Sequence, residues 1–298
     1  MSEEGKLINI GDLKVDLGNV GDLSNPMHAF VNRIAEAVGG FAKPYQISRV
    51  AKAESRAAIL RAKTKVQISE IEERGLRRMV FEEGTKQENI EAITKKALPY
   101  IKDDAHPNSV EKDFFVDFFD KCRLVSNAEM QEVWAKVLAQ EGNNPGSISK
   151  RTVALIASLD KKDAELFTKF CRFVWQIGDL VPFVFEVSSG VPFSEGITFD
   201  SLKHLDSIGL ISFESVTGYI RQNLPKCATI SYYGRRLTIE FPEETNNLEF
   251  GKVLLTEAGQ QLAKICGSSP SEDHYSEVIQ RLFDSGYALS SHVGNKSF

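Results

Sequence analysis

Arg49, Lys52, Arg56 and Lys63 fall at i, i+3, i+7 and i+14, which is one face of a helix. They sit in a segment, 43–66, that carries seven Lys and Arg against a single Glu. A stripe of this kind suits a polyanion, either a nucleic acid or an anionic lipid surface. No aromatic residue interleaves the charges, so nucleic-acid binding here would read phosphates and be sequence-independent. The same stripe also suits a solvated face that meets acidic parts of its own chain. A second basic pair, Arg235 and Arg236, follows Gly234.

The remaining reactive residue types form weaker patterns. Glu129, Glu141, Asp160 and Lys161 supply the residue types of a metal-dependent nuclease, but Glu129 and Asp160 also read as helix-start residues. His28, His106, His204, His274 and His292 lie in different segments. Cys122, Cys171, Cys227 and Cys266 are 49, 56 and 39 residues apart and include no C-x-x-C pair, so they read as reduced structural thiols. No H-E-x-x-H, G-x-S-x-G, Walker or G-x-G-x-x-G pattern occurs. The sequence therefore assigns no catalytic residue, no metal ligand and no cofactor.

These residues need elements to hold them. The chain has 298 residues, 42% hydrophobic and 26% charged, with a net charge of −5. That is ordinary globular usage, and it argues against a protein that coats nucleic acid over its whole surface. The acidic N-terminus lacks an apolar signal core, and no apolar run reaches the 18 residues of a membrane span. A cytoplasmic protein without a transmembrane segment is the expectation.

Residues 1–25 carry Ile-Gly-Asp-Leu and then Val-Gly-Asp-Leu ten residues later, and read as an extended arm. The region 26–100 predicts a helix over 27–38, a long helix over 46–83 and a further helix over 86–98. The long one exposes more side than a small domain can cover, which predicts a homo-oligomer. Residues 107–176 predict a compact helical region with four phenylalanines, Phe114, Phe115, Phe118 and Phe119, in its core. Ser126 and Glu129 read as a capping box, Ser149 caps a short helix, and Asp160 caps a helix running through Trp175. Trp134, Leu138 and Glu141 share one face, with Trp134 in the core and Glu141 reaching Arg151 across the Pro145-Gly146 turn.

Past Gly178 the pattern turns to strands. A helix closed by Gly209 precedes a hairpin of 227–233 and 235–241 around Gly234, and Thr256 caps a later helix. This order resembles a winged-helix module over 177–267, with Arg235 and Arg236 on the wing and Lys203 and His204 on the helix that would enter DNA. A linker and a C-terminal helix make up 268–298.

The words Arg49-Val50-Ala51-Lys52-Ala53-Glu54, Asn89 to Ile93, Phe118 to Ser126 and Trp134 to Glu141, with Pro145-Gly146, Ser149 and Arg151-Thr152, resemble an uncharacterised bacterial family of unknown function. The Trp134 to Thr152 portion is also similar, more distantly, to abortive-infection alpha proteins, which implies phage defence. The fold expected is mainly α: a long N-terminal helix and a helical middle region, followed by a C-terminal winged-helix-like α/β module. The function expected is a non-enzymatic defence or stress component that self-assembles and binds a protein partner. The alternatives are a DNA-binding winged-helix regulator and a metal-dependent nuclease.

Overall fold

The computed structural model describes residues 8–10, 13–15, 24–38 and 70–291. The basic stripe Arg49, Lys52, Arg56 and Lys63 lies outside the described residues. Two compact units divide at Ala157 and Ser158.

Among the described residues of the first unit, a short hairpin, β1 (Ile8–Ile10) and β2 (Leu13–Val15), precedes five helices. They are α1 (Asn25–Ala37), α2 (Glu70–Ala97), α3 (Lys112–Cys122), α4 (Ala128–Asn143) and α5 (Lys150–Ile156). Helix α2 is continuous where the sequence predicts a break between Glu83 and Lys86, because Gly84 and Thr85 keep helical geometry. Its 28 residues would span about 42 Å. The core is aromatic. Phe114, Phe115, Phe118 and Phe119 are buried, and Phe118 meets the fully buried Trp134 edge-on at 5.1 Å. Gly142 lies inside α4 and does not end it. A Cβ there would sit 2.7 Å from the Phe30 ring, so glycine lets α1 seat against α4.

The cap of α4 also differs from the sequence reading. Asn127 caps it, accepting from the Glu129 and Met130 amides at 3.0 Å each, while Ser126 accepts from Asn89 in α2. Ser149 caps α5 as read.

In the second unit, α6 (Lys161–Phe170) starts at an Asp160–Asp163 capping box. It ends at Phe170, and Trp175, read as helical, lies in β3 (Val174–Ile177). There follow β4 (Asp179–Pro182), α7 (Gly190–Ser194), α8 (Phe199–Ser207), β5 (Ile211–Phe213), β6 (Tyr219–Tyr232), β7 (Arg235–Gly251), β8 (Val253–Leu255), α9 (Glu257–Ala263), α10 (Glu272–Asp284) and β9 (Ala288–Ser291). The main sheet is antiparallel in the order β4-β3-β6-β7-β9, and β5 pairs with β8 separately.

This architecture overturns the winged-helix expectation. The hairpin read as a short wing has strands of 14 and 17 residues. Alternating burial continues through Leu224, Asn246, Leu248 and Phe250, beyond the predicted ends, so β6 and β7 become central strands of a five-stranded sheet. A wing projects into solvent, whereas this hairpin lines the core with Trp175, Phe183 and Phe241, beneath Val278 and Leu282 of α10. Gly251 joins the two sheets with φ +102°. Its absent side chain lets the Val184 carbonyl approach where a Cβ would stand 2.1 Å away.

Candidate functional site

Helix α10 brings a buried polar group to the sheet. Ser271 caps it, accepting from the His274 amide at 3.2 Å, and that turn drives His274 into the core, where it is fully buried. The Trp175 indole N–H donates to His274 Nε2 at 3.2 Å. An indole nitrogen only donates, so Nε2 is the acceptor and the neutral ring carries its proton on Nδ1. Nδ1 faces Glu277 Oε2 at 3.6 Å, one helical turn on, an electrostatic contact longer than a hydrogen bond. Glu277 Oε1 accepts from the Val191 amide at 3.1 Å. Gly190 beside it has φ +80°, and a Cβ there would stand 2.7 Å from that oxygen. The facing His274 is the largest influence holding the Glu277 carboxyl below its ordinary pKa, against burial, which pushes it up.

A carboxylate facing a histidine is how many enzymes orient a general base. Here the far ring nitrogen meets an indole N–H, which is no nucleophile, and the carboxylate also holds the start of α7. The arrangement ties α10, β3 and α7 together. A cleft of about 580 Å³ opens beside Glu277, lined by Phe185, Glu186, Leu248, Glu249 and Tyr287, with the Arg281 guanidinium 4.0 Å over the Phe185 ring.

The sequence-predicted wing arginines stand at the β6–β7 turn. Arg235 pairs with Glu272 through two bonds of 2.7 and 2.6 Å and lies 5.2 Å over the Tyr275 ring. Arg236 is exposed, opposite Ser231. The bidentate bond lowers the Glu272 pKa and already engages the Arg235 guanidinium. His204 instead contacts Asp163 at 2.6 Å, joining α8 to the start of α6.

In the first unit Glu141 is buried, but its partner is not Arg151, which is exposed. Its carboxylate accepts from the Gly146 amide at 2.6 Å and the Ile148 amide at 2.9 Å, closing the turn before α5. Burial raises its pKa, and the backbone bonds oppose that rise only in part. Glu129 and Glu141 lie twelve residues apart on α4, about 18 Å along the axis, so the two do not converge on one metal ion. Among the described residues no group of three or more His, Cys, Asp or Glu side chains could hold a metal.

Sequence reasoning missed Trp175, His274 and Glu277. The i, i+3 spacing of His274 and Glu277 on an amphipathic helix was the available signal. The partner indole, 99 residues away in sequence, had none.

The chain matches, over residues 73–279, the family model described as a protein of unknown function, DUF2806. The chain belongs to this family. No curated protein and no solved structure matches it. The DUF2806 match runs from within α2 to within α10. It includes Glu141, Arg235, Arg236, His274 and Glu277, and leaves out the 49–63 stripe. No helix among the described residues is long and apolar enough to cross a membrane.

Proposed function

We propose that this DUF2806 protein is a self-assembling, non-catalytic component that associates with a second copy of itself through the first half of α2 and presents a partner-binding surface. One observation carries the reading. None of residues 70–83 is buried, yet Ile71, Met79 and Phe81 are 69%, 55% and 75% exposed. Only the later part of α2, with Asn89, Ile93, Thr94 and Ala97, is buried.

The charges of this stretch pair along the helix itself. Arg77 meets Glu73 at 2.6 Å, Arg78 meets Glu82 at 3.4 Å and Lys86 meets Glu83 at 2.6 Å. The three exposed apolar side chains lie among these paired charges, with Glu70 and Arg74 also exposed on the same stretch. At about 100° per residue, Ile71, Met79 and Leu76 fall within one half of the circumference. Covering each such side chain is worth about 1.5–3 kcal/mol, and a two-fold pair of helices covers both copies at once.

Light scattering on the full chain should give a dimer or larger species that falls to the monomer mass in Ile71→Lys/Met79→Lys, with the circular dichroism unchanged. A monomeric wild type at micromolar concentration, or a variant of unchanged mass, overturns the reading. Phage defence is the narrower part of the proposal. It rests only on the resemblance to abortive-infection alpha proteins read from the Trp134–Thr152 residues of the sequence, and plating efficiency of phage on cells with and without the protein tests it.

A further inference from the structure

The second unit holds another histidine–carboxylate pair, and it differs from His274 and Glu277 at the nitrogen that could react. His204 lies in the last turn of α8, with its side chain 48% exposed. Its Nε2 stands 2.6 Å from Oδ1 of Asp163, in the first turn of α6. That carboxylate is itself held, because Asp163 Oδ2 accepts from the Asp160 amide at 2.9 Å. Burial pushes the Asp163 carboxyl up, but the Asp160 amide and His204 together bring it below its ordinary pKa. It is therefore an ionised group that only accepts.

The tautomer follows from that acceptor. Nε2 carries the proton, and in the neutral ring the lone pair sits on Nδ1. Nδ1 of His204 has no hydrogen-bond partner among the described residues. In His274 the nitrogen away from the carboxylate is closed by the Trp175 indole inside the core, whereas in His204 it belongs to a side chain that solvent reaches. A carboxylate on one ring nitrogen raises the basicity of the other and stabilises the positive charge that the ring gains when it forms a bond there.

We propose that His204 is a phosphoryl-accepting modification site, at which Nδ1 takes the phosphoryl group of an acyl phosphate with Asp163 as the positioning residue. The Nδ1 lone pair forms the N–P bond while the P–O bond to the acyl group breaks, and the carboxylate leaves with that electron pair. The ring keeps its Nε2 proton and becomes positive, facing the Asp163 carboxylate. The step needs no oxidant, reductant or separate base. Exposed Lys162, next to Asp163 in the same turn, adds positive charge for the incoming phosphoryl group.

The test incubates the folded full chain with acetyl phosphate at about pH 8, above the ordinary imidazole range, and maps the peptides by mass without acid. His106 is the internal control, because it is exposed too but forms no ion pair among the described residues. Buried His274 reports any unfolding. The expected product is a mark of about 80 Da on His204, lost in acid and kept in base. It should form about tenfold or more faster than on His106 and lie on Nδ1 by phosphorus NMR. His204→Gln should remove it. Asp163→Asn, which keeps an oxygen to accept from the Asp160 amide, should slow His204 by about tenfold and leave His106 unchanged. Equal rates at His204 and His106, a mark on Nε2, or an unmarked His204 overturns the proposal. So does an unchanged His204 rate in Asp163→Asn. Should that variant unfold and mark His274, the wild-type rate ratio and the marked nitrogen decide.

Discussion

The Trp175–His274 bond permits a prediction in which two single losses exceed the double one. Trp175→Phe removes the only donor given to His274 Nε2, inside a core where that ring is fully buried. An orphaned buried acceptor costs about 1–3 kcal/mol, and the lost ring atoms add roughly 2 more, so the total is about 3–5 kcal/mol. His274→Phe keeps a ring against Phe173, which the imidazole meets edge-on at 5.0 Å, but orphans the indole N–H at a similar cost of about 1–3 kcal/mol. In Trp175→Phe/His274→Phe neither orphan exists. The double variant should therefore be about 2–6 kcal/mol more stable than the sum of the singles predicts, since both orphan costs vanish together. Urea unfolding of the full chain, followed by far-ultraviolet circular dichroism, measures all four corners of the cycle. Additivity within about 0.5 kcal/mol would refute the bond and the tautomer assigned from it.

Gly142→Ala sets two effects against each other. Helix propensity favours alanine by about 1 kcal/mol, but its methyl would stand 2.7 Å from the buried Phe30 ring, and overpacking costs about 1–3 kcal/mol, so thermal unfolding should show net destabilisation. Glu277 has a folded pKa below its unfolded value, so its contribution is present above the ordinary carboxylate range near pH 4 and is lost as pH falls through that range. Stability measured from pH 7 to pH 3 should fall, and the fall should be shallower in Glu277→Gln.

What was legible in the sequence follows the range of the interactions. Helix starts set by one side chain and an amide two or three residues away, at Ser149, Asp160 and Thr256, could be read because both partners are local. Ser126 was misread because Asn127 offers the same chemistry one position on, and the choice between them was made by Asn89, from another helix. The Phe114–Phe119 stripe and the burial of Trp134 followed from helical spacing. The β6–β7 hairpin was placed correctly around Gly234, but its length was not, since Gln222, Asn223, Pro225 and Lys226 interrupt the apolar alternation that the far end of the strands resumes. That length decides between a wing and a central pair of strands. Strand β9 pairs with β7 through backbone groups and is exposed almost throughout, so its side chains carried no periodic signal.

The destinations of the buried polar side chains bear on where recognition can occur. Among the described residues, eight polar or charged side chains are buried: Asn89, Thr94, Gln131, Glu141, Thr152, Asn246, Ser271 and His274. Each has an internal partner for at least one polar atom, while His274 Nδ1 makes no hydrogen bond and faces Glu277 Oε2 at 3.6 Å. Gln131 bonds Asn89 and the Val125 carbonyl, Asn246 spans the Glu243 backbone, and the Ser271 hydroxyl donates to Glu195. Thr94 bonds the Ile90 carbonyl of its own helix, Thr152 bonds the hydroxyl of the cap residue Ser149, and Glu141 and His274 are held as described above. A preorganised catalytic site keeps some buried polar valence directed at a reacting atom. Apart from His274 Nδ1, these groups direct theirs at the chain's own backbone and neighbours, and so fix how the elements within each unit meet. On the surface, α2 holds Ile71, Met79 and Phe81 in solvent, and a second copy of the same helix is the cover proposed for them.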